Sequence, residues 1–147
     1  MKPEETIDFH LKSTWQAVSR MYNEVAATYG GTMATGYVLL NIDADGTPST
    51  SLGPRMGMES TSLSRTLKTM EEKGLIERRK HADDGRIVLI FLTAEGKAMR
   101  DKAREAVLHF NQRMRAIIPE ENLTGFFRTM RLIQAYIESE KKNPSLS

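Results

Sequence analysis

The strongest constraint on the fold lies in residues 59–92. The stretch opens ESTSLSRTLKTMEEKGL and continues IERRKHADDGRIVLIFL. Met58, Leu63, Leu67 and Met70 fall on one side at helical spacing, which predicts an amphipathic helix over 59–73. Gly74 suits its C-terminal cap, because a left-handed residue there satisfies the last carbonyls. Beyond it, LIERRK and IVLIFL are short runs rich in aliphatic and β-branched residues, separated by six polar residues, HADDGR. That pattern predicts a β-hairpin with a loop longer than the tightest turns.

The rest of the chain reads as helices. Ile7, Leu11, Val18, Tyr22 and Val25 recur at steps of three and four, with Trp15 alongside, so one long helix is expected over 4–29, ended by Gly30 and Gly31. A second covers 35–43 around Tyr37, Val38, Leu39, Leu40 and Ile42, before the turn residues DADGTPST. A short third covers 51–56, with Gly53 and Pro54 tolerated only in a first turn, where proline's missing N–H has no helical partner. Thr93 caps a long helix that begins TAEGKAM, with Glu95 in its first turn and a stripe of Met99, Ala103, Val107, Phe110, Met114 and Ile117. Pro119 breaks it. A last helix carries Leu123, Phe126, Met130, Ile133 and Ile137, a heptad-like seam suited to packing on another helix. KKNPSLS reads as a frayed tail.

The first residues of the 59–73 helix pose a chemical question. Ser60, Thr61, Ser62 and Ser64 are mediocre helix formers, since their hydroxyls compete for the backbone. Taken alone, hydroxyls at a helix start are ordinarily caps. Their neighbours change that balance. Arg65 and Lys68 share their face, and Arg78, Arg79, Lys80 and Arg86 decorate the hairpin that follows. Two short helices joined at Gly57 and followed by a basic hairpin have the outline of a winged helix-turn-helix. In that arrangement small donors and acceptors near a helix N-terminus enter the major groove, and the free N–H groups of that end favour phosphate. An arginine on the hairpin tip suits the negative potential of the minor groove. Asp83 and Asp84 oppose phosphate there unless one of them orients Arg86. By itself, a mixed-charge hairpin is an ordinary solvated surface.

Residues 52–96, LGPRMGMESTSLSRTLKTMEEKGLIERRKHADDGRIVLIFLTAEG, resemble the core of the MarR family of bacterial transcription regulators. MEEKGLIERR, the triplet Asp84-Gly85-Arg86 and the exit LTAEG are the most specific parts; the flanking helices fit by length and pattern. The resemblance implies a mainly α fold with a small β-hairpin wing and long N- and C-terminal dimerisation helices. It implies a homodimer reading a pseudo-palindromic operator in double-stranded DNA. It also implies that Asp84 and Arg86 are the wing pair, and that a pocket between dimer helices and winged module takes a small phenolic or anionic effector. The chain departs from the pattern in three places: Glu59 stands where a better N-cap is usual, Gly53-Pro54 interrupts the preceding helix, and Gly85 replaces a frequent arginine. The family's peroxide sensors depend on a cysteine, and this chain has none, which excludes that thiol route.

With 147 residues and 39% hydrophobic content, one domain is expected. Within it, 35–92 form the DNA-binding module and 4–29 and 93–141 the helical dimerisation region. The many large apolar residues of the end helices, among them Ile7, Phe9, Leu11, Phe126 and Phe127, exceed what the module's own core needs and point to a twofold interface. The alternative is an intramolecular helical subdomain. Net charge is only +2, so the placement of charge matters more than its sum. No run of about 18 apolar residues and no secretory h-region occur, so no membrane partner is expected. Together with the absent cysteine this suggests the cytoplasm.

No catalytic or metal-binding constellation stands out. DADG at 43–46 places its glycine too early for a calcium loop. His10, His81 and His109 lack ligand spacing and read as surface or partly packed residues. Ser64 and Lys68 are one residue too far apart for a Ser-x-x-Lys nucleophile. No enzyme activity, metal or cofactor is therefore expected. Trp15, Tyr22 and Tyr37 are candidates to line an effector cleft, although aromatic residues at helical spacing are more often core. The expected function is sequence-specific DNA binding by a dimeric repressor released by a small molecule. The candidate contacts are Ser60, Thr61, Ser62, Ser64, Arg65, Lys68, Arg78, Lys80, Asp84 and Arg86. The alternative is a dimeric protein-interaction or small-molecule-binding module that keeps the winged fold without reading DNA.

Overall fold

Thr6 decides where the first helix begins. Its extended backbone and its hydroxyl, which accepts the Phe9 N–H at 3.2 Å, cap α1 (Ile7–Ala27), and a 3-10 turn over Pro3–Glu5 precedes it. The expected start at residue 4 is thus one turn early. A computed structural model describes residues 1–142 of the chain. After Gly30, which takes φ +78°, Thr32 caps α2 (Met33–Leu40) by accepting the Thr35 N–H at 3.1 Å. The range 35–43 expected for this helix is shifted, because that cap starts it earlier and Asp43 leaves it. The Asp43 N–H donates to the Thr47 hydroxyl at 2.8 Å.

Thr47–Pro48 form a short strand, β1, that the sequence reading does not contain. It pairs antiparallel with β3 (Val88–Leu92), Thr47 opposite Ile90, while β2 (Ile76–Lys80) pairs with the other edge of β3, Ile76 opposite Leu92 and Lys80 opposite Val88. The sheet therefore has three strands in the order β1-β3-β2. Pro48 is tolerated because β1 is an edge strand.

The third helix, α3, runs from Ser49 to Met56. Its earlier start moves Pro54 out of the first turn, where it was expected, and into the interior. Proline removes one intrahelical N–H there, so the helix is short, and Gly57 closes it with φ +64°. The next helix, α4 (Ser60–Glu72), buries Leu63, Leu67 and Met70, with Met58 packed against them, and Gly74 follows at φ +74°.

Thr93 anchors the exit of the hairpin as expected. Its hydroxyl donates to the Gly74 carbonyl at 2.6 Å and accepts the Gly96 N–H at 3.1 Å, starting α5 (Ala94–Ile117). The Leu75 carbonyl accepts the Thr93 N–H and lies so close to Gly96 that an added Cβ would sit 2.0 Å from it. Glycine is required at that point of LTAEG because backbone meets backbone. Helix α6 (Glu120–Lys142) follows Pro119 and includes Lys141 and Lys142, the first two residues of the expected tail; the remaining five lie outside the described residues.

The chain divides into two units, 1–106 and 107–147. The first holds the core, built from α2, α3, α4 and the sheet, with Leu39, Leu52, Met70 and Ile90 among its largest fully buried side chains. Each such burial contributes about 1.5–3 kcal/mol. Thr47 is also fully buried, and its hydroxyl is satisfied by the Asp43 N–H and carboxylate. In the second unit no described residue is buried.

Candidate nucleic-acid interface

None of the hydroxyls at the start of α4 is a cap. The N-cap residue is Glu59, whose side chain makes no capping bond. Ser60, Thr61, Ser62 and Ser64 are exposed, and their hydroxyls have no hydrogen-bond partner among the described residues. Only later do Thr66 and Thr69 bond back to the carbonyls of Ser62 and Arg65, at 3.0 and 3.1 Å. The first turn of α4 thus presents free N–H groups, free hydroxyls and a positive dipole end together. Arg65 and Lys68 are exposed on the same helix and unpaired among the described residues.

Burial seats this helix. Its apolar stripe packs into the core. On α3, Arg55 donates to the Asn41 carbonyl at 2.7 Å and pairs with Asp43 at 3.3 Å, tying α3 to the turn before β1. Between α3 and α4 lies a cleft of about 310 Å³ that Ser60, Ser64 and Arg78 help to line.

Strand alternation separates the hairpin cations. Arg78 and Lys80 lie opposite Ile90 and Val88, whereas Arg79 lies opposite Leu89 and so projects to the other face with Phe91. Arg79 pairs with Glu77 and stacks on Phe91, 4.5 Å from the ring centre. Arg78 makes a 3.5 Å ion pair with Glu71 of α4, linking helix to strand. Lys80 is exposed and unpaired among the described residues.

At the tip, Asp84 orients Arg86. Its carboxylate accepts Arg86 Nε at 3.1 Å, Nη2 at 3.2 Å and the Arg86 backbone N–H at 3.0 Å. Those bonds, from the Arg86 side chain first and then from its N–H, hold the Asp84 carboxyl below the usual carboxylate range. The Arg86 side chain is nevertheless 92% exposed. Asp84 therefore fixes the guanidinium's direction without covering it. His81, which the sequence reading takes as a surface or partly packed residue, braces the same loop: its Nδ1 accepts the N–H groups of Asp83 and Asp84 at 3.1 and 3.3 Å.

The other sequence candidates lie elsewhere. Trp15 and Tyr37, on α1 and α2, are 59% and 48% exposed, and Tyr22 is half-buried, which raises its phenol pKa. None of the three lines the α3–α4 cleft. No cluster of His, Cys, Asp or Glu among the described residues is arranged to hold a metal, and no helix there is long and apolar enough to cross a membrane.

Comparison with known proteins agrees with this geometry. The model of the MarR family matches residues 37–88, from α2 to the start of β3. The organic hydroperoxide resistance transcriptional regulator of Bacillus subtilis (strain 168) is 30% identical over 107 residues, covering 70% of this chain and 71% of that protein. Among solved structures, the MepR–DNA complex of S. aureus superposes with a TM-score of 0.82 at 17% identity, over 89% of this chain and 98% of that one. CouR of Rhodococcus jostii RHA1, bound to p-coumaroyl-CoA, gives 0.75 at 22% identity over 100% and 99%. The family match, the hydroperoxide-resistance relative and the shared fold agree: this chain belongs to the MarR family of winged-helix transcriptional regulators.

Proposed function

We propose that the chain is a cytoplasmic bacterial repressor, not an enzyme, that binds a pseudo-palindromic operator as a homodimer. The observation that carries this reading is the first turn of α4, with its unpartnered hydroxyls and uncapped N–H groups beside exposed Arg65 and Lys68. A hydroxyl both donates and accepts, so this face suits base edges as well as phosphates. Arg86, aimed by Asp84, enters the adjacent minor groove, while Arg78 and Lys80 flank the duplex. That MepR is held in a DNA complex supports the same use of this fold.

The dimer rests on the end helices, 4–29 and 93–141. In the second unit no described residue is buried, while Ile117, Phe126, Leu132 and Ile137 are more than half exposed. Apolar patches of this extent are a liability on a monomer and are covered by a second copy. A small phenolic or anionic effector releases the repressor in this reading, with Trp15, Tyr22 and Tyr37 as its candidate contacts; that CouR is bound to p-coumaroyl-CoA supports a ligand site on this fold. The thiol chemistry of cysteine-based peroxide sensing is closed to a chain without cysteine.

Fluorescence anisotropy with labelled duplex from the protein's own upstream region tests the reading. Tight binding that resists excess nonspecific competitor is expected. Binding abolished equally by any duplex contradicts it. Trp15 is the only tryptophan, so its emission reports an effector directly.

A further inference from the structure

The loop at the hairpin tip is stapled by an imidazole. His81 closes the ladder from β2 through its own N–H, which donates to the Ile87 carbonyl at 2.8 Å, and the Ile87 N–H donates to Asp84 at 3.1 Å. Inside that frame, two consecutive backbone N–H groups, those of Asp83 and Asp84, converge on His81 Nδ1. Backbone N–H groups only donate, so Nδ1 must carry a lone pair and the ring's proton must sit on Nε2. The same loop backbone places the Asp84 carboxylate that orients Arg86.

The geometry points to His81 as the positioning residue of the wing: neutral, it holds the tip in the form that presents Arg86 to DNA, and protonated, it releases that form and weakens operator binding. An imidazolium has no lone pair on either nitrogen, so it cannot accept either N–H, and a ring flip does not help. Both loop donors are then left facing a donor.

The surrounding charges act in both directions. Asp84 lies within electrostatic reach of the ring, and Asp83 is the other carboxylate of the loop. Lys80 precedes His81 and Arg86 is bound to Asp84, while Ile87, the last loop residue, and Val88, the first of β3, carry no charge. Imidazole is the side chain that can gain a proton without strong acid, which is what lets a loop brace of this kind switch. A simple added positive charge would strengthen binding to a polyanion, so the device predicts the opposite sign from bulk electrostatics.

The inference rests on the proposed DNA-binding role, and two readouts keep the two apart. Without DNA, imidazole nitrogen shifts in the full chain should show the Nε2–H tautomer at pH 8, and hydrogen exchange at Asp83 and Asp84 should accelerate as His81 is protonated. With operator, affinity of the parent should fall about tenfold relative to H81N between pH 8 and 5.5, the loss of one bifurcated hydrogen bond. H81N supplies an acceptor that bonds the N–H two residues on and does not titrate, so it should bind like the parent at pH 8 and keep a flat profile. H81A should bind weakly at every pH. An Nδ1–H tautomer, parallel profiles for parent and H81N, or a parent that gains affinity on acidification where H81N does not would overturn the device. If no operator is bound at any pH, the repressor reading fails and the nitrogen shifts and exchange rates still decide the role of His81.

Discussion

At the residue scale, the wing pair makes a specific claim about acid. Asp84 is held below the ordinary carboxylate range by Arg86 in the folded chain. A depressed folded value contributes stability that is fully present above the unfolded value of about 3.9, and that is lost as pH falls through the folded value. Carbon-detected NMR titration of H81N, in which the loop brace does not titrate, should therefore find Asp84 ionised below the range of Asp83, and R86A in that background should return it to that range. A titration unchanged by R86A would show that the pairing seen here does not persist in solution. Contacts to DNA separate by type. Lys68→Ala and Arg86→Ala should weaken binding to all sequences and flatten the slope of log K against log salt by about 0.9 per protomer. Arg65→Ala should instead relax sequence preference by about 1–3 kcal/mol at one base position of each half-site. Salt titrations on matched and mismatched duplexes distinguish the two classes.

At the element scale, α4 trades propensity for chemistry. Each hydroxyl residue lowers helix propensity by a few tenths of a kcal/mol, roughly, and the Leu63, Leu67 and Met70 stripe offsets this by burial. That stripe, the two extended runs and the Thr93 cap were legible because period, β-branching and caps are local signals. What escaped was set by tertiary contact. Strand β1 is two residues long, too short to show any alternation, and exists because β3 offers it an edge. Pro54 lies inside α3 because the chain turns at Pro48, a boundary that the Gly53-Pro54 pair conceals. His81 was unreadable as a brace because an imidazole's acceptor role depends on where two loop N–H groups point. The close approach at Gly96 carries a stability prediction. Gly96→Ala places a Cβ 2.0 Å from the Leu75 carbonyl and forces the hairpin away from α5. Denaturant unfolding should show a loss of about 3 kcal/mol. A loss below about 0.5 kcal/mol would mean that the two backbones are not in contact.

At the scale of the whole molecule, the winged module has a core of its own and the C-terminal unit has none among its described residues. A second copy is the partner this arrangement calls for, and twofold symmetry then matches inverted half-sites. Sedimentation should give about twice 16.6 kDa, and Leu132→Glu, at a position 62% exposed in the single chain, should give a folded monomer that no longer retains operator. Selection of genomic fragments by the purified protein tests the central claim most directly. The account predicts recovery of an inverted repeat whose half-sites are centred about one helical turn, roughly 10 bp, apart. Recovery of single unpaired half-sites, or of no common sequence at all, would contradict it.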